Sequence, residues 1–181
     1  MTITGGLRRL VRLIARPASA HCDTEDGPVV TAGRRALESG DVNHALAWVH
    51  PEAEGEVRAA FAAAVATGDA QRAAAERRFL ETLVRAHRTG EGATFEGIKP
   101  AGTPQPPAVS AADRAVAERS LAPLAGLVDD ERWPQLQDRF ADVLARADHD
   151  VDDLPAARGW VEAYVRFVHH AAGHEQAAAG H

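Results

Sequence analysis

The stretch "FLETLVRAHR", Phe79–Arg88, decides the fold class. Leu80, Leu83, Val84 and His87 stand at i, i+3, i+4 and i+7, which places them on one face of an α-helix. Glu81, Arg85 and Arg88 fall on the neighbouring stripe. Further along, "WVEAYVR" (160–166) repeats the pattern with Val161, Tyr164, Val165 and Val168, while Glu162, Arg166 and His169 take the neighbouring stripe. Glu81 then matches Glu162, Arg85 matches Arg166, and His87 occupies the place that Val168 fills. His87 is therefore expected to face the core.

Working outward, "PVVTAGRRALESGDVNHALAWVHPEAEGEVRAAFAAAV" (28–65) lies on "PAVSAADRAVAERSLAPLAGLVDDERWPQLQDRFADVL" (107–144) at a constant offset, pairing Pro28 with Pro107, Glu52 with Glu131 and Phe61 with Phe140. The expectation is an all-α bundle built from an internally duplicated three-helix unit. The predicted helices cover 28–39, 51–66 and 69–89, then 110–127, 130–146 and 153–173. Asp69 and Ser110 are candidate N-caps. The first repeat spans 28–92 and the second 107–175, with a Gly/Pro-rich linker of extended character at 93–106 and a fraying tail at 176–181.

Composition agrees with helix: alanine and arginine are abundant, Lys99 is the only lysine, and strong β-formers are sparse. The net charge is −6, and Arg8, Arg9, Arg12 and Arg16 supply four cations near the start, so a chain cut after Ala20 falls to about −10. That acidity argues against nucleic-acid or anionic-membrane partners, which need a basic footprint. A transmembrane segment is not expected, because no run of about 18 apolar residues occurs. Cys22 is the only cysteine, which excludes an intramolecular disulfide.

Residues 1–20 read as a cleavable leader. "LRRLVRLIAR" (7–16) is amphipathic, Arg12 interrupts its apolar stretch, and Ala18-Ser19-Ala20 is a small-residue site for a processing peptidase. The protein is exported to the periplasm or cell exterior if this leader is a signal, and is otherwise cytoplasmic. A cut after Ala20 exposes "HCDTEDG" (21–27), a candidate metal hook. The freed α-amine has a typical pKa of about 7.7–8.0. With the Cys22 backbone nitrogen and thiolate it forms two fused chelate rings, a planar N/S set suited to nickel or copper. The His21 imidazole and the Asp26 carboxylate complete the expected ligand set of His21, Cys22 and Asp26. Asp23, Glu81, His87 and His169 are expected to stand behind these ligands and support them. His169, His170 and His174 form a second histidine cluster, with an (i, i+4) pair near the chain end.

On these residues, "HCDTEDGPV" resembles the N-terminal nickel hook of nickel superoxide dismutases, which begins His-Cys-Asp and continues x-x-Cys-Gly-x-Tyr. His21, Cys22, Asp23 and Gly27 match, Asp26 stands at the second cysteine, and Val29 at the tyrosine. The resemblance implies a redox-active nickel site, and the carboxylate in place of a thiolate implies a harder donor set that stabilises Ni(III) less. Over most of its length the chain also resembles an uncharacterised bacterial helical family carrying His-Cys-Asp-Thr-x-Asp-Gly-Pro after a leader, with Glu81, Arg85, His87, Gly90, Glu91, Gly92 and His169 in its later blocks.

Three functions follow as alternatives. One is superoxide- or peroxide-type redox chemistry at the hook, and another is a non-enzymatic copper or nickel carrier or sensor. The third is a helical interaction module whose linker docks a partner in extended form. The repeated helices could pair within one chain or between copies in a homo-oligomer.

Overall fold

The computed structural model describes residues 21–173, and these residues form an all-α fold. Its helices are α1 (Pro28–Ser39), α2 (Asn43–Leu46), α3 (Glu54–Val65), α4 (Arg72–Gly90), α5 (Pro107–Glu118), α6 (Trp133–Ala145) and α7 (Leu154–Ala171). The leader, the cut after Ala20, His174 and the tail lie outside the described residues. No helix among the described residues is long and apolar enough to cross a membrane.

Capping chemistry sets most helix ends. Proline occupies the first turn of α1, α5, α6 and α7, where its preset φ and missing N–H cost nothing. Asp153 Oδ1 accepts the Ala156 N–H at 3.0 Å and caps α7. Three expectations shift. The helix expected at 110–127 starts at Pro107, which leaves Ser110 inside it, and stops when Arg119 takes the left-handed region at φ 51°. The helix expected at 51–66 opens as a 3-10 turn, Pro51–Ala53, before α3 begins. Asp69 likewise opens a 3-10 turn, Asp69–Gln71, whose capping residue is Gly68.

In the first half α4 packs on both α1 and α3; in the second, α7 packs on both α5 and α6. Phe79, Leu83 and Val84 of α4 are fully buried with Val29, Val30 and Ala36 of α1. Gly33 is what lets α1 approach, since a Cβ there would stand 2.6 Å from Leu80 Cδ2 and 2.8 Å from Leu83 Cδ2. Phe140 and Phe167 join α6 to α7, with ring centroids 5.4 Å apart.

The two halves meet at an aromatic seam. Trp48 lies edge-on to Tyr164 at 5.8 Å and to Trp160 at 6.4 Å, while Trp160 stacks on Tyr164 at 5.4 Å. Such pairs add about 0.5–1.5 kcal/mol each beyond the area they bury. Arg158 of α7 crosses the seam, donating to the Val49 carbonyl at 3.1 Å and to Glu54 at 2.6 Å. This seam positions the site described next.

Candidate metal centre

The segment 21–26 is a strap laid into the fold rather than a free end. The linker supplies an extended edge for it: Lys99 N–H donates to the Asp23 carbonyl at 2.7 Å, and Glu25 N–H donates to the Lys99 carbonyl at 2.9 Å. Thr24 and Lys99 make an isolated parallel bridge there. Glu25 is then gripped by Arg34 of α1 and by Arg77 of α4, the latter at 3.0 Å. Gly27 closes the strap tightly. A Cβ at that position would lie 2.2 Å from the His21 carbonyl oxygen and 2.9 Å from Thr24 Oγ1. Gly27→Ala should therefore cost about 1–3 kcal/mol, the usual penalty of overpacking, read as a lower urea midpoint. An unchanged midpoint would mean that the strap yields freely.

Four consecutive strap residues, His21, Cys22, Asp23 and Thr24, are buried. His21 Nε2 pairs with Asp113 Oδ2 of α5 at 2.7 Å, and Asp113 Oδ1 accepts the Tyr164 hydroxyl of α7 at 2.5 Å. A carboxylate on Nε2 fixes the proton there and leaves the Nδ1 lone pair facing Cys22 Sγ, 4.0 Å away. Burial pushes the Cys22 thiol well above its ordinary range, and Glu91 and Asp23 push the same way against Arg88. Cys22, His21 and Asp113 share the order of a thiol-hydrolase triad, but a thiol raised in this way is a poor nucleophile.

Beneath Cys22 runs a row of buried charge from the C-terminal end of α4. The Arg88 guanidinium lies 3.4 Å from Asp23 Oδ2 and 3.3 Å from Glu91 Oε2. His87 Nδ1 donates to the Trp48 carbonyl at 2.8 Å, and its Nε2 lies 3.6 Å from Glu91 Oε1. Asp23 is raised by burial, with Arg88 opposing. Its second oxygen, Oδ1, is buried and accepts no hydrogen bond from the described residues.

These observations test the donor set. A nitrogen and a sulfur 4.0 Å apart can share one ion, since metal–N and metal–S bonds of about 2.0–2.1 and 2.3 Å span that gap. The oriented imidazole suits a cation, and Asp23 Oδ1 is a buried acceptor on the residue after Cys22. Asp26 does not join them. It is exposed, and its Oδ2 accepts the Gly102 N–H at 2.9 Å. That bond and the Thr24 hydroxyl hold its carboxyl below the usual range. No group of three or more His, Cys, Asp and Glu side chains among the described residues is arranged to hold a metal.

Of the other residues singled out by sequence, Asp23 and His87 lie at the site. Glu81 does not form its wall, because it pairs with Arg77 at 2.7 Å on the surface. Its partner there is Arg77, four residues earlier, while Arg85 reaches Glu56 at 2.6 Å, both as solvated ion pairs. His169 is buried on α7. His170 Nε2 is paired instead with the Arg132 carbonyl, at 3.0 Å. Sequence reasoning gave no site role to Arg88, Glu91, Asp113 or Tyr164. The i, i+3 and i, i+4 spacing of Arg88 and His87 to Glu91 was a usable signal for the first two. Nothing local marks Asp113, which is 92 residues from His21.

No curated protein and no solved structure matches the chain. The model of a family described as "Family of unknown function (DUF6448)" matches residues 26–170, beginning just after the His21–Glu25 segment, and the chain belongs to that family.

Proposed function

We propose that a peptidase cut after Ala20 arms the strap, and that His21 and Cys22 then bind one nickel or copper ion. The observation that carries this reading is the His21 imidazole, oriented through Nε2 by Asp113 with Nδ1 turned toward Cys22 Sγ at 4.0 Å. The freed α-amine and the Cys22 amide nitrogen complete the set in place of Asp26. A bound ion of this kind supplies one-electron exchange with superoxide or peroxide. The chain's own part is to hold the thiolate away from water, orient the imidazole through Asp113 and Tyr164, and balance charge with Arg88. The two halves as a duplicated unit, and pairing between copies, belong to the same proposal.

A carrier or sensor is the second reading. It is favoured by the burial of Cys22, only 4% exposed, which leaves little room for a substrate to reach the sulfur. The linker edge at Lys99 is already taken by residues 23–25, which speaks against an interaction module docking through it.

Intact mass and metal content of the native protein test the reading together. The expected result is a chain beginning at His21 with about one nickel or copper ion; an uncut, metal-free chain would sink it. Affinity should also rise at least about tenfold per pH unit between about pH 6 and 8, because binding expels the proton of a thiol raised by burial and that of the amine. A flat profile would exclude the thiolate as ligand.

A further inference from the structure

The most easily oxidised aromatic side chains of this protein are gathered in one place. Tyr164 is its only tyrosine, and Trp48 and Trp160 are two of its three tryptophans. Trp160 stacks on Tyr164 with ring centroids 5.4 Å apart and planes 14° from parallel, while Trp48 lies edge-on to both. Trp160 is partly exposed, whereas Tyr164 is buried. The stack therefore runs from solvent inward to the Tyr164 hydroxyl, which donates to Asp113 Oδ1 at 2.5 Å. Through Oδ2 the same carboxylate holds His21. The two stacked rings differ in what they can do with a proton. Trp160 Nε1 is buried and finds no acceptor among the described residues. An electron lost from that indole leaves a cation in a place that solvates it poorly. An electron lost from Tyr164 leaves none, because the phenolic proton can pass to Asp113. Phenol and carboxylate, with one negative charge between them, become tyrosyl radical and carboxylic acid, with no charge.

We propose that Tyr164 is a redox-active residue, oxidised by one electron through Trp160 and held in that state by proton transfer to Asp113. An outer-sphere one-electron oxidant at the surface, a high-potential metal complex or an organic radical, takes an electron from Trp160. The Trp160 cation takes one from Tyr164, the phenolic O–H bond breaks, and the new O–H bond forms at Asp113 Oδ1. A one-electron reductant reverses the sequence, and the proton returns from Asp113 as Tyr164 regains its electron. No ion in the strap takes part. The test uses the full chain freed of metal by a chelator, with photogenerated tris(bipyridine)ruthenium(III) as oxidant, freeze-quenched for electron paramagnetic resonance. A tyrosyl signal can come from Tyr164 alone. The expected result is a neutral tyrosyl radical that forms more slowly in heavy water. Its high-field g1 component should be lowered by the hydrogen bond returned from Asp113. Trp160→Phe keeps a ring in the stack and should lose most of the tyrosyl signal. Asp113→Asn removes the proton acceptor and should leave an indole radical instead. An indole radical alone in the unsubstituted protein would overturn the proposal. So would a g1 component showing no hydrogen bond, or an unchanged tyrosyl yield in either folded variant. Because the chain is metal-free throughout, failure here and failure of the metal reading are separable.

Discussion

Replacing Arg88 with alanine should lower the stability of the fold by about 3–5 kcal/mol, the usual cost of stripping one partner from a buried ion pair. At this chain length that corresponds to a fall of about 6–20 °C in melting temperature. The reason lies in where the guanidinium sits. It is 5% exposed and contacts the carboxylates of Asp23 and Glu91, which are themselves almost wholly buried. Without it two carboxylates face each other in a medium that cannot solvate them, and Cys22 stands beside both. Arg88→Lys keeps the charge but loses the fork that reaches two acids, so an intermediate loss is expected. The damage should be local first: amides of the strap at Glu25 and Lys99, which bond to the linker and to the strap, should exchange before those of α4. A loss below about 1 kcal/mol in a urea titration would place the cluster with solvent-exposed pairs instead.

Cys22→Ser should reduce nickel or copper affinity at least about 100-fold, because a hydroxyl is neither soft nor deprotonated near neutral pH. The fold should survive, since the change is nearly isosteric and the polar contact of the buried thiol among the described residues is a weak one, with His21 Nδ1 at 4.0 Å. Asp113→Asn is the sharper companion. It leaves both donors in place but removes the carboxylate that holds the His21 ring, and orienting partners of metal-bound histidines are usually worth about 10–100-fold in affinity. Equilibrium dialysis against a competing chelator reads both. Unchanged stoichiometry and affinity in Cys22→Ser would remove the thiolate from the site; a loss in Asp113→Asn alone would make His21 the principal ligand.

How much of this was legible in the sequence follows from the range over which each feature acts. The Phe79–His87 stripe and its partner over Val161–Val168 announced α4 and α7, because helical periodicity is written in neighbouring residues. It also placed His87 in the core, where the residue now donates to the Trp48 carbonyl. Capping is local too, yet the two candidate caps read from the sequence both miss, since Ser110 lies inside α5 and Asp69 follows the capping Gly68, while the side chain that does cap α7 is Asp153. The boundary at Arg119 was missed because a non-glycine residue in the left-handed region leaves little compositional trace. Glu81 was misread for a related reason. Spacing along a helix says which side chains share a face, and only packing says whether that face meets water.

The sequence by itself determined the all-α class and the chemical identity of the lone thiol beside a histidine. Tertiary structure alone decided the surroundings of that thiol. Asp113 and Tyr164 come to His21 from α5 and α7, and Arg88 and Glu91 come to Cys22 from the far end of α4. Asp26, four residues from Cys22, is drawn away to the Gly102 N–H. Proximity along the chain put Asp26 among the ligands, whereas burial and long-range hydrogen bonding gave the neighbouring places to Asp23, Glu91 and Asp113. Those choices depend on free energies of desolvation and pairing that exist only once the two halves have closed on the strap.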